Sequence, residues 1–413
     1  MRATRKTASG VEHEADVLII GGGLVGLSLA AALGGAGLAV AVVDREDPAG
    51  TLDAGFDGRV SAIAHASWRM LQAAGIARHL PAAEPILDIR VSDGASLLFL
   101  HFDHRDLGPE PFGHMVENRH ARVALRARLA ELGDRVELFA PAEVQAVERA
   151  SEWVTASLGE GARIRARLCV AADGRGSRLR ASAGIRTVGW RYGQTGIVCT
   201  VAHERPHRGV AQERFLPAGP FAVLPMTGDR SSLVWTEEAD LAPAILALDE
   251  AQFLAELERR FGDHLGRLRV VGPRWSYPLS LHLATRYVDH RLALIGDAAH
   301  GIHPIAGQGL NLGLRDVAAL AELIVDRDRL GLDCGSADLL ARYQRWRRVD
   351  SLVLAAVTDG LNRLFSNDLA PLRLVRDLGL ALVNRARPAK RLFMRHARGT
   401  VGKLPRMLQG EPL

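Results

Sequence analysis

The apolar positions of this chain fall into three successive patterns. Near the start, continuous apolar runs bracket a helical stretch; from 186 to 284 short strand-like runs dominate; beyond 320 the period is mainly helical. Asp16–Ile20 reads as a buried strand, Leu24–Leu33 as a helix rich in Ala and Leu, and Leu38–Val43 as a second strand. No charged residue occurs between Val17 and Val43, so hydropathy alone would suggest a membrane span. Glycines at 21–23, 26, 34, 35 and 37 argue instead for two buried strands around a buried helix. Glu12, Glu14 and Asp16 interrupt the approach to that run and argue against a secretory signal; residues 1–14 are expected to form a disordered leader.

After Asp44 the strand–helix alternation lapses. A loop leads to a helix over 67–76, and short apolar pieces between Ile86 and Glu117 suggest an inserted sheet. Arg119–Leu132 reads as a helix, followed by strands at Val136–Phe139, Glu143–Arg149, Val154–Leu158 and Arg163–Cys169. Further strands at Thr195–His203, Gln212–Phe215, Ala222–Met226 and Ser232–Thr236 surround one helix at 250–262. A strand at 291–296, a glycine-rich loop and a helix from near Leu310 then return the chain to its first pattern. A length of 413 residues suits two domains. One is expected over 15–80, 118–185 and 285–345, the other over 81–117 and 186–284, with a helical region over 346–413.

Composition changes the picture in two respects. With 48% hydrophobic and 24% charged residues the chain is neither disordered nor a small cross-linked module. Cys169, Cys199 and Cys334 are too scattered for a disulfide framework or a thiolate metal site, and a reducing compartment fits best. The net charge of +5 implies no nucleic acid partner, but it is unevenly spread. From Ala341 onward 15 basic residues face 5 acidic ones, whereas the first 340 residues carry 37 and 42. A basic tail on an acidic body suits a solvated helical face, an anionic membrane surface or an acidic protein.

The first turn carries the clearest chemistry. Gly21, Gly23 and Gly26 have the GxGxxG spacing between strand and helix, and Asp44 ends the second strand 18 residues after Gly26. Gly21 permits the tight turn, Gly23 lets a pyrophosphate approach the backbone, and Gly26 lets helix and strand pack closely. Unpaired N–H groups at the helix start favour phosphate. Asp44 can accept ribose hydroxyls and opposes a 2′-phosphate, which favours FAD or NAD over NADP. Asp173, at a strand end, reads as an acid that closes a turn. His300 and His303 have no third ligand nearby, so no metal is expected. Cys199 reads as inert core, while Trp190, Tyr192 and Trp235 suit either a substrate pocket or ordinary packing. No SxxK, GxSxG or CxxC pattern is present.

GGGLVG at 21–26, AADGRGS at 171–177 and RLALIGDAAHGIHPIAGQGLNLGLRD at 291–316 resemble the three fingerprints of single-component, FAD-dependent aromatic hydroxylases. With FDGRVSAIA at 56–64 and VENRHARVAL at 116–125, the chain is most similar to the ubiquinone-biosynthesis branch of that family. The resemblance implies an α/β fold: a Rossmann-like FAD-binding domain, an inserted, mostly antiparallel-sheet substrate domain and a helical C-terminal region. It implies that Gly21, Gly23 and Gly26 cradle the FAD pyrophosphate, that Asp44 binds the adenosine ribose, and that Asp173 and Gly174 lie near the pyrophosphate. Asp297 would contact the ribityl and pyrophosphate region. Pro304, Gly307, Gln308, Gly309, Leu310 and Asn311 would lie beside the isoalloxazine, with helix-start N–H groups facing its N1 and C2 carbonyl. Arg59 would sit near the flavin and adenosine portions, and Asn118 and Arg122 on a helix touching the cofactor. His300 would be a hydrogen-bonding loop residue, and His303 would reach the active-site cavity.

The activity implied is ring hydroxylation through a flavin C4a-hydroperoxide, with O₂ as co-substrate and an external donor, NAD(P)H or ferredoxin-type. No residue is identified as acid or base. The substrate implied is a polyprenylated phenol, met by a cytoplasmic chain peripheral on the inner membrane or within a quinone-biosynthesis complex. A hydroxylase of a small soluble aromatic, a geranylgeranyl-reductase-like flavoenzyme and a non-enzymatic scaffold are the alternatives. A flavin halogenase is disfavoured because WxWxIP is absent.

Overall fold

A computed structural model describes residues 5–7, 10–48, 50, 56–94, 96, 99–366, 376, 379 and 382–413. Its organising element is a run of five parallel strands in the order Val136–Phe139, Val40–Val43, Gly10–Ile20, Arg163–Ala171 and Leu292–Leu294. Helices cover parallel strands on both faces, which is why these strands read as unbroken apolar runs. Val17, Leu18, Ile19 and Val42 are inaccessible to water. The first half of Arg163–Ala171 also carries an antiparallel hairpin, Val144–Arg149 with Val154–Leu158.

The N-terminal expectation requires correction. The first long strand begins at Gly10 rather than Asp16, and Arg5–Thr7 folds back on it antiparallel. The extension is specified by pairing, not by apolarity. Residues 12–15 lie in register with 163–166, and the acid that interrupts the apolar pattern at Glu14 pairs with Arg165.

Glycine contacts set how closely the helices approach. A Cβ at Gly26 would lie 1.9 Å from the Gly21 carbonyl oxygen, so helix Leu24–Gly35 can leave its turn only with glycine there. Helix Gln308–Arg329 crosses that helix at Gly313, where a Cβ would stand 2.8 Å from Val25 and 3.4 Å from the Gly296 Cα.

The second sheet has eight strands, drawn from 88–103, from 187–284 and from His300–Gly301. All neighbours are antiparallel except Val210–Leu216 with Asp88–Asp93, the parallel pair that joins the two inserted segments. Helix Glu250–Phe261, capped by Asp249, presses Phe253, Leu257 and Phe261 onto this sheet beside Trp235 and Phe221. Spacing of four residues puts those three side chains on one face. A small sheet of Val60–Ala64, Gly113–Glu117 and Glu84–Ile86 lies between the two regions. Helices Ala337–Phe365 and Arg387–Ala397 form the C-terminal region; the apolar, arginine-bearing stretch at 367–375 lies outside the described residues. Among the described residues no helix is long and apolar enough to cross a membrane.

Replacing Gly26 by Ala should lower stability by about 1–3 kcal/mol, because the added methyl meets backbone that cannot move aside. Gly159→Ala, whose Cβ would meet nothing within 4 Å, should stay within about 0.5 kcal/mol of wild type in the same urea titration.

Candidate functional site

Four neighbouring parallel strands end at one edge of the sheet, and each delivers a polar or glycine residue there. Gly21 follows Ile20, Asp44 follows Val43, Asp173 lies two past Ala171, and Asp297 three past Leu294. Ligands of open parallel sheets gather at such carboxyl ends, where the strand order reverses.

Two cavities open along this edge. One, of about 670 Å³, is bounded by Gly21, Gly23, Asp44, Arg122, Asp173 and Gly174. Helix Leu24–Gly35 opens onto it with Gly23 as a cap that has no side-chain acceptor, leaving its first N–H groups free for an anion. A Cβ at Gly23 would meet no protein atom within 4 Å, so the space before it belongs to the cleft. Asp44 accepts the backbone N–H of Gly22 and, at 2.8 Å, that of Glu46, which aims its carboxylate along the rim. Asp173 Oδ2 accepts the Arg178 N–H at 3.0 Å, while its Oδ1 is buried without a partner. Asp173 is therefore both the turn-closing acid and a carboxylate with acceptor capacity to spare. Arg126 adds a second cation beside Arg122.

The other cavity, of about 330 Å³, lies between the loop after Asp297 and the inserted sheet. Asp297, Pro304, Gly307, Gln308, Gly309, Leu310 and Asn311 all line it. Gly307 has φ +62°, and a Cβ there would stand 3.1 Å from that of Ala62, so the loop enters helix Gln308–Arg329 in a conformation that favours glycine. No side chain caps that helix, and its N-terminus faces the cavity. Asn311 does not offer its amide to a ligand. It accepts the Ala64 N–H at 2.8 Å and donates to Ala62 and Gly307 carbonyls at 2.8 and 3.1 Å, fastening the loop to the small sheet. The far wall is apolar, with Ile86, Phe112, Leu224 and Leu279, and one side is polar: Arg175 donates to the Ser280 hydroxyl at 2.6 Å near Tyr277.

Several of the residues singled out in the sequence stand away from the two cavities. His303 does not line the cavity; its ring is fully buried edge-on to Tyr192, and burial pushes its pKa down to about 4 against a weaker opposing pull from Asp359. The apolar pocket beside Leu281 and Ala355 draws the loop side chains inward at that point. Of the alternatives left open for Tyr192, Trp190 and Trp235, lining the smaller cavity is not the one found: Trp235 is core, and Trp190 is an exposed ring under Arg363. Arg59 and Asn118 border neither cavity. Arg59 pairs with Asp57 at 2.9 Å, and Asn118 accepts the Ser61 hydroxyl at 2.7 Å. Among the described residues no cluster of three or more His, Cys, Asp or Glu could hold a metal.

Behind the loop lies a buried ionic chain. Asp316, with no exposure, accepts His300 Nε2 at 2.6 Å and the Gly296 N–H at 3.0 Å on one oxygen, and Arg347 Nε at 2.7 Å on the other. Burial alone would raise its pKa; attraction to His300 and Arg347 overrides that and holds the carboxyl below its usual range. Arg347 carries no motif signal. Its trace in the sequence is a charge on the inward face shared by Leu340, Tyr343, Ser351 and Ala355.

Comparison with known proteins agrees with this geometry. The FAD binding domain family matches residues 14–351. A ubiquinone hydroxylase, UbiL, of Rhodospirillum rubrum is 57% identical over all of this chain and 96% of its own length. The 3-demethoxyubiquinol 3-hydroxylase of Escherichia coli is 35% identical over 93% of this chain and 98% of its own. The crystal structure of p-nitrophenol 4-monooxygenase from Pseudomonas putida shares the fold, with a TM-score of 0.79 at 22% identity, covering 95% of this chain and 100% of that one.

Asp316→Asn should destabilise the protein at neutral pH by about 3 kcal/mol, since it removes the buried carboxylate that accepts both His300 and Arg347 and leaves Arg347 with Asp350 alone. The Asp316 pKa is depressed on folding, so its contribution is present above the ordinary carboxylate pKa and lost as pH falls through the lower folded value. Urea titrations across acidic pH should therefore show the gap between wild type and variant closing.

Proposed function

The chain belongs to the FAD-binding family of monooxygenases that includes the ubiquinone hydroxylases, and we propose from that membership that it hydroxylates the ring of a polyprenylated phenol on the route to ubiquinone. The observation that carries this reading is the 330 Å³ cavity, where an uncapped helix terminus meets the apolar face of the inserted sheet. The residues suit FAD on physical grounds: two uncapped helix N-termini, an unpartnered buried oxygen on Asp173, and open space in front of Gly23 and Gly309. Gly21 and Gly23 would hold the pyrophosphate through backbone N–H groups, Asp44 would hold the adenosine ribose, and Asp173, near the pyrophosphate, would accept a hydroxyl of the cofactor. Asp297 would hold the ribityl chain, and the backbone of Gly307 to Leu310 the ring system. Bound FAD supplies the redox chemistry: with electrons from an external NAD(P)H or ferredoxin-type donor, one atom of O₂ enters the ring and the other leaves as water.

The chain's own residues contribute orientation, charge and exclusion of water. The N-terminus of Gln308–Arg329 would set positive potential beside the reduced ring system, which is anionic. Arg175, held on Ser280, places a cation on the polar wall. There it would favour the ionised form of a phenol, whose ring is the more electron-rich. Ile86, Phe112 and Leu279 leave little for water to bond to on the opposite wall. A substrate with a long isoprenoid tail resides in bilayers, so the reading also places the protein at a membrane surface, working as a peripheral enzyme alone or in a quinone-biosynthesis assembly.

Gly23→Val should leave the urea midpoint nearly unchanged, because its side chain enters open space, yet weaken FAD binding about tenfold or more. The flavin-to-protein absorbance ratio after gel filtration reads this difference. Labelled O₂ should place one heavy oxygen in the product ring, and labelled water none. Label from water would overturn the monooxygenase chemistry. Turnover of benzoate-type acids with none of prenylated phenols, presented in detergent or lipid, would overturn the substrate while preserving the chemistry.

A further inference from the structure

The outward face of helix Ala337–Phe365 departs from the usual rule that a helix turns polar residues to water. Val349, Leu352, Val353, Val357 and Leu364 are exposed, Val349 by 64% and Val353 by 52%. Their spacing of three, four and seven residues makes one continuous stripe. From Ala341 to Phe365 the other exposed residues are Arg342, Arg345, Arg348 and Arg363, together with Ala356 and Gly360. The two acids in that stretch are drawn onto cations: Asp350 onto Arg315 and Arg347, Asp359 onto Arg363. Among the described residues the exposed positions of this face are therefore aliphatic residues, arginines and one glycine, and the partly exposed Asp350 is already paired.

The neighbouring helix Arg387–Ala397 repeats the pattern. Leu392 and Phe393 are exposed, the latter by 44%, between Arg387, Arg391 and Arg395, and residues 382–398 contain no acid. The inward residues of the two helices, Phe365 and Met394, share one apolar cluster with Phe112 and Ile305, which line the ring cavity. Ala397, at the end of the second helix, is itself part of that cavity wall.

We infer that these two outward faces form the docking surface for an anionic lipid bilayer, placed beside the cavity so that an isoprenoid tail reaches the ring site from the membrane. The inference deepens the reading of the substrate given above and rests on it for the tail. A bilayer supplies both things the face lacks: hydrocarbon for the stripe and phosphate for the guanidinium groups on its flanks. A second copy of the chain would bring like charges together. A protein partner would find almost no hydrogen-bonding group other than guanidinium, where protein interfaces have many.

The test uses the FAD-loaded full chain with vesicles of phosphatidylcholine, alone or mixed with phosphatidylglycerol. Wild type should sediment with the mixed vesicles, less so as salt rises, and little with the neutral ones. V349E/V353E should bind at least about tenfold more weakly, with unchanged melting and flavin content, because both side chains already face water. That variant should lose turnover of vesicle-borne prenylated phenol but keep turnover of a short-chain, water-soluble analogue. Equal sedimentation of variant and wild type overturns the docking surface, as does wild type that ignores anionic vesicles but binds an acidic protein through the same residues. If binding behaves as expected while no prenylated phenol is turned over in either form, the substrate reading falls and the docking surface stands.

Discussion

A carboxylate that water cannot reach holds the loop beside the smaller cavity in place. Asp316 takes donors from three places, the Gly296 backbone, His300 and Arg347. Unpaired, such a charge would be prohibitive in the interior; with all three donors it binds a strand end, a loop and the C-terminal helix to one point. Arg347 passes the connection to Asp350, and Arg315 carries it on to the Gly399 and Val401 carbonyls at 2.9 and 3.2 Å. The loop that faces the ring site is thus pinned by His300 at one end and Asn311 at the other, each through groups that cannot exchange with water. Catalysis by positioning needs such a frame, because small misplacements of reacting atoms are costly.

The same loop is also part of the opposite wall. His300 and Gly301 pair with Leu283 and His282 at the edge of the eight-stranded sheet. The His282 ring donates back to the Asp297 carbonyl at 2.9 Å. The two walls of the ring cavity are therefore joined by hydrogen bonds, and a shift of the inserted sheet moves the loop with it. This explains why strands Thr187–His203 and Leu268–Ala284 run the length of the sheet, anchored far from the site by the packing of Phe253 and Phe261.

Much of the site was legible because its residues follow strand ends, and strand ends are local events. Gly21, Asp44, Asp173 and Asp297 each stand just past an apolar run, and the close approach that requires Gly26 is a property of a single turn. The misread positions depend on partners far away in sequence. Gly10–Ala15 is strand because 163–166 lies beside it, although its charges break the apolar pattern. His303 turns into a pocket made by Tyr192 and the helix carrying Ala355, which no local pattern announces. Trp235, which the sequence left open between pocket and packing, belongs to a core built by Glu250–Phe261. Arg175 was visible only as a spacer within a fingerprint, and its place on the cavity wall comes from Ser280, 105 positions later.

The crossing of two helices at Gly313 has a consequence for cofactor choice. Because Gly313 lies against Val25 and Gly296, the free ends of helices Leu24–Gly35 and Gln308–Arg329 keep a fixed separation. A dinucleotide meeting them is a bivalent ligand, and the protein is a rigid pair of receptors. With the nucleotide half of FAD seated as proposed, the ring half would be presented to the second terminus at a high effective concentration set by the spacing. A mononucleotide engages one receptor and gains nothing from the other. If FAD spans the two termini as proposed, the contact at Gly313 would favour a cofactor long enough to reach both.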